Sequence, residues 1–261
     1  MSDAIRLAAK RLHQARLTLK PGDTITDMLD RMDIDAAYQV QNILTENRVA
    51  NGAKRIGRKI GLTSFAVQQQ IGVDRPDFGV LFDDMPYASG QPIPEGILIQ
   101  PKVEAEVAFV LKADITEKVD SESVKAAVDY AVAALEVVDS RIRDWKISLA
   151  DTVADNASSG VYVLGDNKVS LDDFDTKGVQ MRILKDGEVV SEGSGVDCLG
   201  DPLAALAWLA NTSIEVGDPL RAGEVVLSGA LGPMVAAFPG ESFTAEVEPL
   251  GAVTAVFGKG E

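Results

Sequence analysis

Two glutamates, Glu104 and Glu106, stand one residue apart inside an otherwise apolar run, Val103-Glu104-Ala105-Glu106-Val107-Ala108-Phe109-Val110-Leu111. A β-strand sends alternate side chains to one face, so both carboxylates point the same way. Like charges held that close repel, and relief comes from a proton on one of them or a cation between them. Glu136 repeats the oddity, alone in Ala133-Ala134-Leu135-Glu136-Val137-Val138. Apolar flanks on both sides suggest a buried strand, where a glutamate needs a partner. Glu104 taken singly has an ordinary alternative: a strand with one wetted face, or ion pairs to Lys102 and a neighbour. The three together point to a hard divalent cation held by oxygen ligands, and hence to a metal-assisted enzyme. Cysteine is absent from the cluster and the sole histidine, His13, is far away in sequence. That disfavours zinc, copper and non-haem iron and favours Mg²⁺ or Mn²⁺.

Around this cluster the chain is long enough, at 261 residues with 46% apolar side chains, for one large domain or one domain with a smaller attachment. With 25 basic against 40 acidic residues the formal charge is −15, which argues against nucleic-acid binding and against docking on anionic lipid. The one cysteine, Cys198, excludes an intrachain disulfide and fits a reducing cytoplasm. No apolar run approaches the roughly 20 residues of a membrane span, and the N-terminus lacks the apolar core of a signal peptide.

Residues 2 to about 50 read as helical. Ser2 caps a helix with the apolar face Ile5, Ala8, Ala9, Leu12. A second helix starts near Asp35, carries Ala36, Val40, Ile43 and Leu44, and stops at Asn51-Gly52. Beyond Gly52 strand-like runs, glycines and prolines take over. We expect a strand over 56–62 and a short helix capped by Ser64. The Gly- and Pro-rich stretch 72–96 should be a long ordered loop or lid. Strand 103–111, a helix from about Ser121 to Val132, strand 133–139, a short helix over 147–156 and a strand over 160–164 should follow. A hairpin turns at Asp186-Gly187, and Asp201-Pro202 opens a helix. Strands return at 224–228 and 242–257. Strands and helices do not alternate regularly, so the expected class is α+β: a helical N-terminal region (1–55) beside a mixed, mainly antiparallel β-body (56–261).

Three further groups carry chemistry-bearing side chains. In Gly57-Arg58-Lys59-Ile60-Gly61-Leu62-Thr63-Ser64, Lys59 lies between Arg58 and Ile60 in a strand-like run. It reads either as a lysine snorkelling from an edge strand or as a general acid/base whose pKa desolvation and a nearby cation would lower. In Gly72-Val73-Asp74-Arg75-Pro76-Asp77-Phe78-Gly79, turn chemistry accounts for most of the composition, and a lid carrying Asp77 onto a metal site is the functional alternative. Asp139-Ser140-Arg141 and Asp151-Thr152-Val153-Ala154-Asp155-Asn156-Ala157-Ser158-Ser159-Gly160 fit a carboxylate-binding segment and a capped helix-to-strand turn equally well. Cys198 has no histidine partner in the pattern of a nucleophile, and His13 reads as a surface residue.

These segments, with Pro-Lys-Val-Glu-Ala-Glu at 101–106 and Leu-Glu-Val-Val-Asp-Ser-Arg-Ile at 135–142, agree in order and spacing with one family. From about residue 35 onward the chain resembles the 2-keto-4-pentenoate (2-hydroxypenta-2,4-dienoate) hydratases, in the hydratase/decarboxylase branch of the fumarylacetoacetase superfamily. The resemblance implies a fumarylacetoacetase-type β-body, Mg²⁺ or Mn²⁺ on Glu104, Glu106 and Glu136, and Lys59 and Asp77 as the acid/base pair. It further implies substrate contact at Ser158 and Ser159 and a homo-oligomer, pentameric or decameric in some members. The activity implied is hydration of 2-hydroxypenta-2,4-dienoate to 4-hydroxy-2-oxopentanoate in aromatic-compound degradation. Its rivals are 4-oxalocrotonate decarboxylation and hydration of the longer 2-oxo-hept-4-ene-1,7-dioate, whose distal carboxylate would want a second basic contact that the sequence does not place. A non-catalytic acidic metal-binding protein is the alternative of another class, and no calcium loop of the Asp-x-Asp-x-Asp-Gly type supports it.

Overall fold

Period-two burial dominates the chain, and it builds two sheets that share one core. The computed structural model describes residues 2–65, 68–69 and 73–260. The helix expected after Ser64, and Gly72 of the loop motif, lie partly outside them.

The larger sheet is centred on β5 (Pro101–Leu111) and β6 (Val128–Asp139), an antiparallel pair. On one side of it come β10 (Val225–Leu227), β1 (Arg55–Gly61) and β2 (Asp77–Phe82). On the other lie β7 (Ser159–Leu164) and the edge strand β3 (Pro86–Ala88), and the short β11 (Val235–Ala236) pairs with β5. The smaller sheet runs β4 (Pro92–Ile93), β13 (Gly251–Phe257), β12 (Ser242–Glu248), β8 (Gln180–Lys185), β9 (Glu188–Ser194). Only the pairs β1–β10, β3–β7 and β4–β13 are parallel among the described residues. The class is therefore the expected α+β, mixed and mainly antiparallel.

Alternation gives β5 and β6 two different faces. Val103, Ala105, Val107 and Phe109, with Ala131, Ala133, Leu135 and Val137, pack in one buried cluster with Phe243, Ala245, Val253 and Ala255 of the smaller sheet. The opposite face is apolar toward one end, where Ala108, Val132, Ala134 and Leu227 meet Phe82 and Met85. At its other end it carries the acidic side chains.

Three helices close the acidic end. α1 (Asp3–Thr18) is capped by the Ser2 side chain and α2 (Ile34–Ala50) by Asp33, each accepting from a backbone N–H of its first turn. Both bury their apolar faces against α3 (Leu149–Ala154), whose Ser148–Asp151 capping box fixes its start. Asp151 also accepts from Ile25 N at 2.8 Å, which ties the α1–α2 connection to α3. α4 (Pro202–Glu215), capped by Asp201, packs against β1 on the far side, where the buried Arg58 donates to Ser213. None of the described helices is long and apolar enough to cross a membrane.

Two expectations are corrected. The described part of the expected loop, 73–96, carries strands: all six residues of β2 are buried, and β3 and β4 follow. The prolines that suggested a loop sit where a strand tolerates them, Pro86 and Pro92 each beginning an edge strand. The helix expected over 121–132 shortens to a 3₁₀ turn, Ser123–Ala127, and β6 begins at Val128. The β-branched and aromatic side chains of Val128, Tyr130 and Val132 suit the pleat better than a helix.

Candidate metal-dependent active site

Strand register brings the carboxylates together. Glu104 lies directly opposite Glu136 in the β5–β6 ladder, and Glu106 is two residues along on the same face. One oxygen from each of the three lies within 4.8 Å of the others. Glu106 and Glu136 are fully buried, while Glu104 keeps partial exposure at the open side of the cluster.

Lys59 reaches the same face through β1 and β10, and its ammonium stands 3.1 Å from Glu136 Oε1. The Lys59 Nζ donates to the Ala157 carbonyl at 2.9 Å. That carbonyl is aimed by an unusual turn: Asn156, Ala157 and Ser158 have φ of 58°, 51° and 52°, three successive non-glycine residues in the left-handed region. Such strain persists only where the surroundings hold it, and here Asn156 brackets the Val80 backbone through both its amide groups.

Asp77 begins β2 opposite Gly61, and the glycine is required there: a Cβ at position 61 would sit 2.2 Å from Asp77 Oδ1. Asp77 Oδ2 accepts from Thr152 Oγ1 at 3.4 Å, and Thr152 Oγ1 lies 3.5 Å from Ser158 Oγ. Ser158 therefore joins the Asp77 end of the cluster. Ser159 does not: its Oγ donates to the Asn156 carbonyl and lines a separate cavity of about 270 Å³ behind the turn. Arg141 and Asp155 form a buried ion pair that holds the strained turn from behind, with Arg141 also donating to the Ser159 carbonyl at 2.7 Å.

Electrostatically the site is crowded. Burial pushes the Glu104 carboxyl up to about 7 against the pull of Lys59. Burial and the neighbouring Glu136 and Glu104 raise Glu106 well above the ordinary range, and burial raises Glu136 despite Lys59. Burial lifts Asp77 to about 6, again opposed by Lys59. Lys59 shows the reverse of the sequence expectation. Burial alone would lower it, but Glu136, Glu104, Asp77 and Glu106 together outweigh burial and hold the ammonium above its ordinary value.

Three buried side-chain oxygens accept no hydrogen bond or ion pair among the described residues, Asp77 Oδ1, Glu106 Oε1 and Glu136 Oε2, while Glu136 Oε1 faces the Lys59 ammonium at 3.1 Å. All belong to this cluster, and buried acceptors of that kind normally find a partner. Three carboxylates converging with free lone pairs, and no sulfur or imidazole among them, fit a hard divalent cation. The remaining Glu106 oxygen accepts from Gly229 N at 2.7 Å, which orients that carboxylate.

Thr152, Gly229 and Tyr38 escaped sequence reasoning as site members. Gly229 N meets Glu106 across 123 residues, and no local pattern announces that. Thr152 sat in a motif that capping also explained.

Comparison with known proteins places this geometry in a family. The family profile described as "Fumarylacetoacetate (FAA) hydrolase C-terminal" matches residues 66–257. A 2-keto-4-pentenoate hydratase of Paraburkholderia xenovorans (strain LB400) is 53% identical, over 96% of this chain and 93% of its own. A 2-hydroxyhexa-2,4-dienoate hydratase of Comamonas testosteroni is 40% identical, over 98% of this chain and 99% of its own. Among solved structures, 4-oxalocrotonate decarboxylase from Pseudomonas putida G7, complexed with magnesium and adipate, superposes with a TM-score of 0.92 at 35% identity, covering 97% of each chain. The carboxylate cluster on a two-sheet β-body and these matches together show that the chain belongs to the fumarylacetoacetate hydrolase family, in its 2-keto-4-pentenoate hydratase branch.

Proposed function

We propose that this chain is a hydro-lyase that hydrates 2-hydroxypenta-2,4-dienoate to 4-hydroxy-2-oxopentanoate, with Mg²⁺ or Mn²⁺ held by Glu104, Glu106 and Glu136. The observation that carries the reading is the convergence of those three carboxylates, with oxygens left free, beside a buried lysine and a buried aspartate of raised pKa. The magnesium complex of the decarboxylase relative and the names of the hydratase relatives support it. The bound cation supplies electrostatic stabilisation for negative charge developing on the substrate's C2 oxygen.

The chain's own residues move protons and place water. The 2-hydroxyl gives up its proton and C5 gains one, which turns the dienol into a 2-oxo-3-enoate. Water oxygen then bonds to C4, and C3 takes a proton. Lys59 donates from its ammonium to the oxygen that becomes negative. Asp77, which is not one of the proposed cation ligands, can change protonation near neutral pH, since burial lifts it to about 6. It accepts a proton from the attacking water and returns one to carbon. Thr152 orients its carboxylate, and Ser158 contacts the substrate from the turn beside Lys59. Ser159 supports that turn instead. The reading extends to a homo-oligomer in the cytoplasm, with the subunit count to come from light scattering.

Hydration and decarboxylation are separated by supplying purified, Mg²⁺-loaded protein with 2-hydroxypentadienoate and with 4-oxalocrotonate. Dienoate absorbance should vanish with 4-hydroxy-2-oxopentanoate as product, and CO₂ release from 4-oxalocrotonate should be negligible. Rapid CO₂ release with no hydration would assign the chain to the other activity.

Cation binding must also displace protons. A carboxyl near 7 and a second raised well above the ordinary range hold protons in the cation-free site around neutral pH and below. Apparent Mg²⁺ affinity should therefore rise with pH through about 7, and fall by about tenfold per pH unit per displaced proton below it. Titration calorimetry in buffers of different ionisation enthalpy should register the released protons. A flat affinity between pH 5.5 and 8 would contradict the linkage.

A further inference from the structure

The strands explain how Glu104, Glu106 and Glu136 are held, but Asp77 and Thr152 come from separate elements, β2 and α3, that no strand ladder joins. Their side chains meet at 3.4 Å. One fully buried side chain from α2 joins the two backbones one residue further on. Gln41 Nε2 donates to the Phe78 carbonyl at 2.9 Å and to the Val153 carbonyl at 2.8 Å. Phe78 follows Asp77, and Val153 follows Thr152. From the previous turn of α2, Tyr38 stacks on the Phe78 ring with centroids 4.8 Å apart, and its hydroxyl accepts from Phe78 N at 3.3 Å. The amide N–H and the carbonyl of the residue beside Asp77 are thus both held by one helix.

We infer that Gln41, with Tyr38, is a positioning clamp that sets Asp77 against Thr152, so α2 helps to position the active site. α2 lies outside residues 66–257, the segment that the family profile matches. Neither side chain of the clamp touches the carboxylate cluster through a hydrogen bond or ion pair. Its expected signature is therefore a loss of turnover with the cation site intact. A misplacement of about 1 Å in a reacting group can lower a rate by about 10²-fold.

The inference rests on the role given to Asp77, and the test separates the two. Gln41→Leu, Asp77→Asn and the double variant are compared by steady-state kinetics on 2-hydroxypentadienoate and by Mg²⁺ calorimetry. Gln41→Leu should lower kcat by about 10- to 100-fold, with KM within about twofold and Mg²⁺ affinity unchanged. In the Asp77→Asn background it should lower kcat no further, since coupled groups are non-additive. A folded Gln41→Leu enzyme with parental kcat, or an equal loss in both backgrounds, overturns the clamp. An active Asp77→Asn overturns the Asp77 role itself, and the clamp with it.

Leu12→Ala controls for destabilisation, since it opens a cavity between the same helices without touching the clamp. It should lower Tm with kcat at 25 °C unchanged; a kcat loss matching that of Gln41→Leu would reduce the clamp to ordinary stability. If Gln41→Leu does not fold, Tyr38→Phe, which keeps the ring stack and removes only the hydroxyl, should lower kcat by about threefold or more at unchanged Mg²⁺ affinity. Parental kcat in that variant counts against the clamp.

Discussion

Replacing Lys59 by methionine should lower kcat on 2-hydroxypentadienoate by about 10²–10³-fold, the range lost with one donor aimed at developing negative charge. The change keeps the length of the stem and deletes only the charge. Lys102 acts on Glu104, whereas the buried Lys59 acts on Glu136, Glu104, Glu106 and Asp77 alike. A second consequence separates this loss from simple misfolding. Without the ammonium, the three glutamates lose their internal counter-charge, so the cation-free variant should melt below the cation-free parent. Saturating Mg²⁺ should restore much of that difference, because a ligand bound only by the folded state stabilises it. Circular dichroism melts with and without Mg²⁺ read both effects. Parental turnover in Lys59→Met would remove the lysine from the chemistry.

Glu106→Gln should have an effect of similar size by another route. The substitution preserves shape, and the retained carbonyl oxygen can still accept from Gly229 N. It withdraws one negative ligand from the site. Mg²⁺ affinity should fall by at least about 10²-fold, since losing even an outer partner of a metal ligand lowers affinity by about 10–100-fold. Turnover should fall with it at any moderate Mg²⁺ concentration. Stability should move the opposite way: cation-free Glu106→Gln should melt at or above the cation-free parent, because one of three crowded acids has gone. Only the Mg²⁺-dependent rise in Tm should disappear. An unchanged Mg²⁺ isotherm would mean that the cation sits elsewhere, and the assignment of the triad would fall with it.

The two substitutions act on opposite signs of one buried charge cluster, and the fold explains why the cluster is tolerated. Its carboxylates stand at one end of a sheet face whose other end is apolar, and the reverse face of β5 and β6 is wholly committed to the inter-sheet core. The crowding raises the affinity expected for a divalent ion, at the expense of a raised proton affinity when no ion is bound. The pH dependence of Mg²⁺ binding and the melting behaviour of Glu106→Gln are two readings of that same property.

Local spacing was enough for some of this. Alternation placed Glu104 and Glu106 on one face, apolar flanks marked Glu136 as buried, and together they named the kind of ligand before any partner was visible. Capping residues fixed helix starts at Ser2 and Asp201. Stop signals were less dependable: prolines and glycines over 72–96 read as a loop because a residue pattern does not say whether a strand lies at a sheet edge. Gln41 left a readable trace, a polar residue on the buried stripe Ala37–Gln41–Thr45 of α2, yet its partners are 37 and 112 residues away.

Whether a side chain points up or down a strand depends on its immediate neighbours, and so the acidic face, the apolar core and the α+β class follow from the order of residues. Which strands pair, and in what register, depends on contacts closed across long stretches of chain. That pairing set Glu136 against Glu104, brought Lys59 within 3.1 Å of it, parted Ser158 from Ser159 and put Asp77 in a buried strand. Four carboxylates that only the folded chain assembles then outweighed burial and reversed the expectation for Lys59.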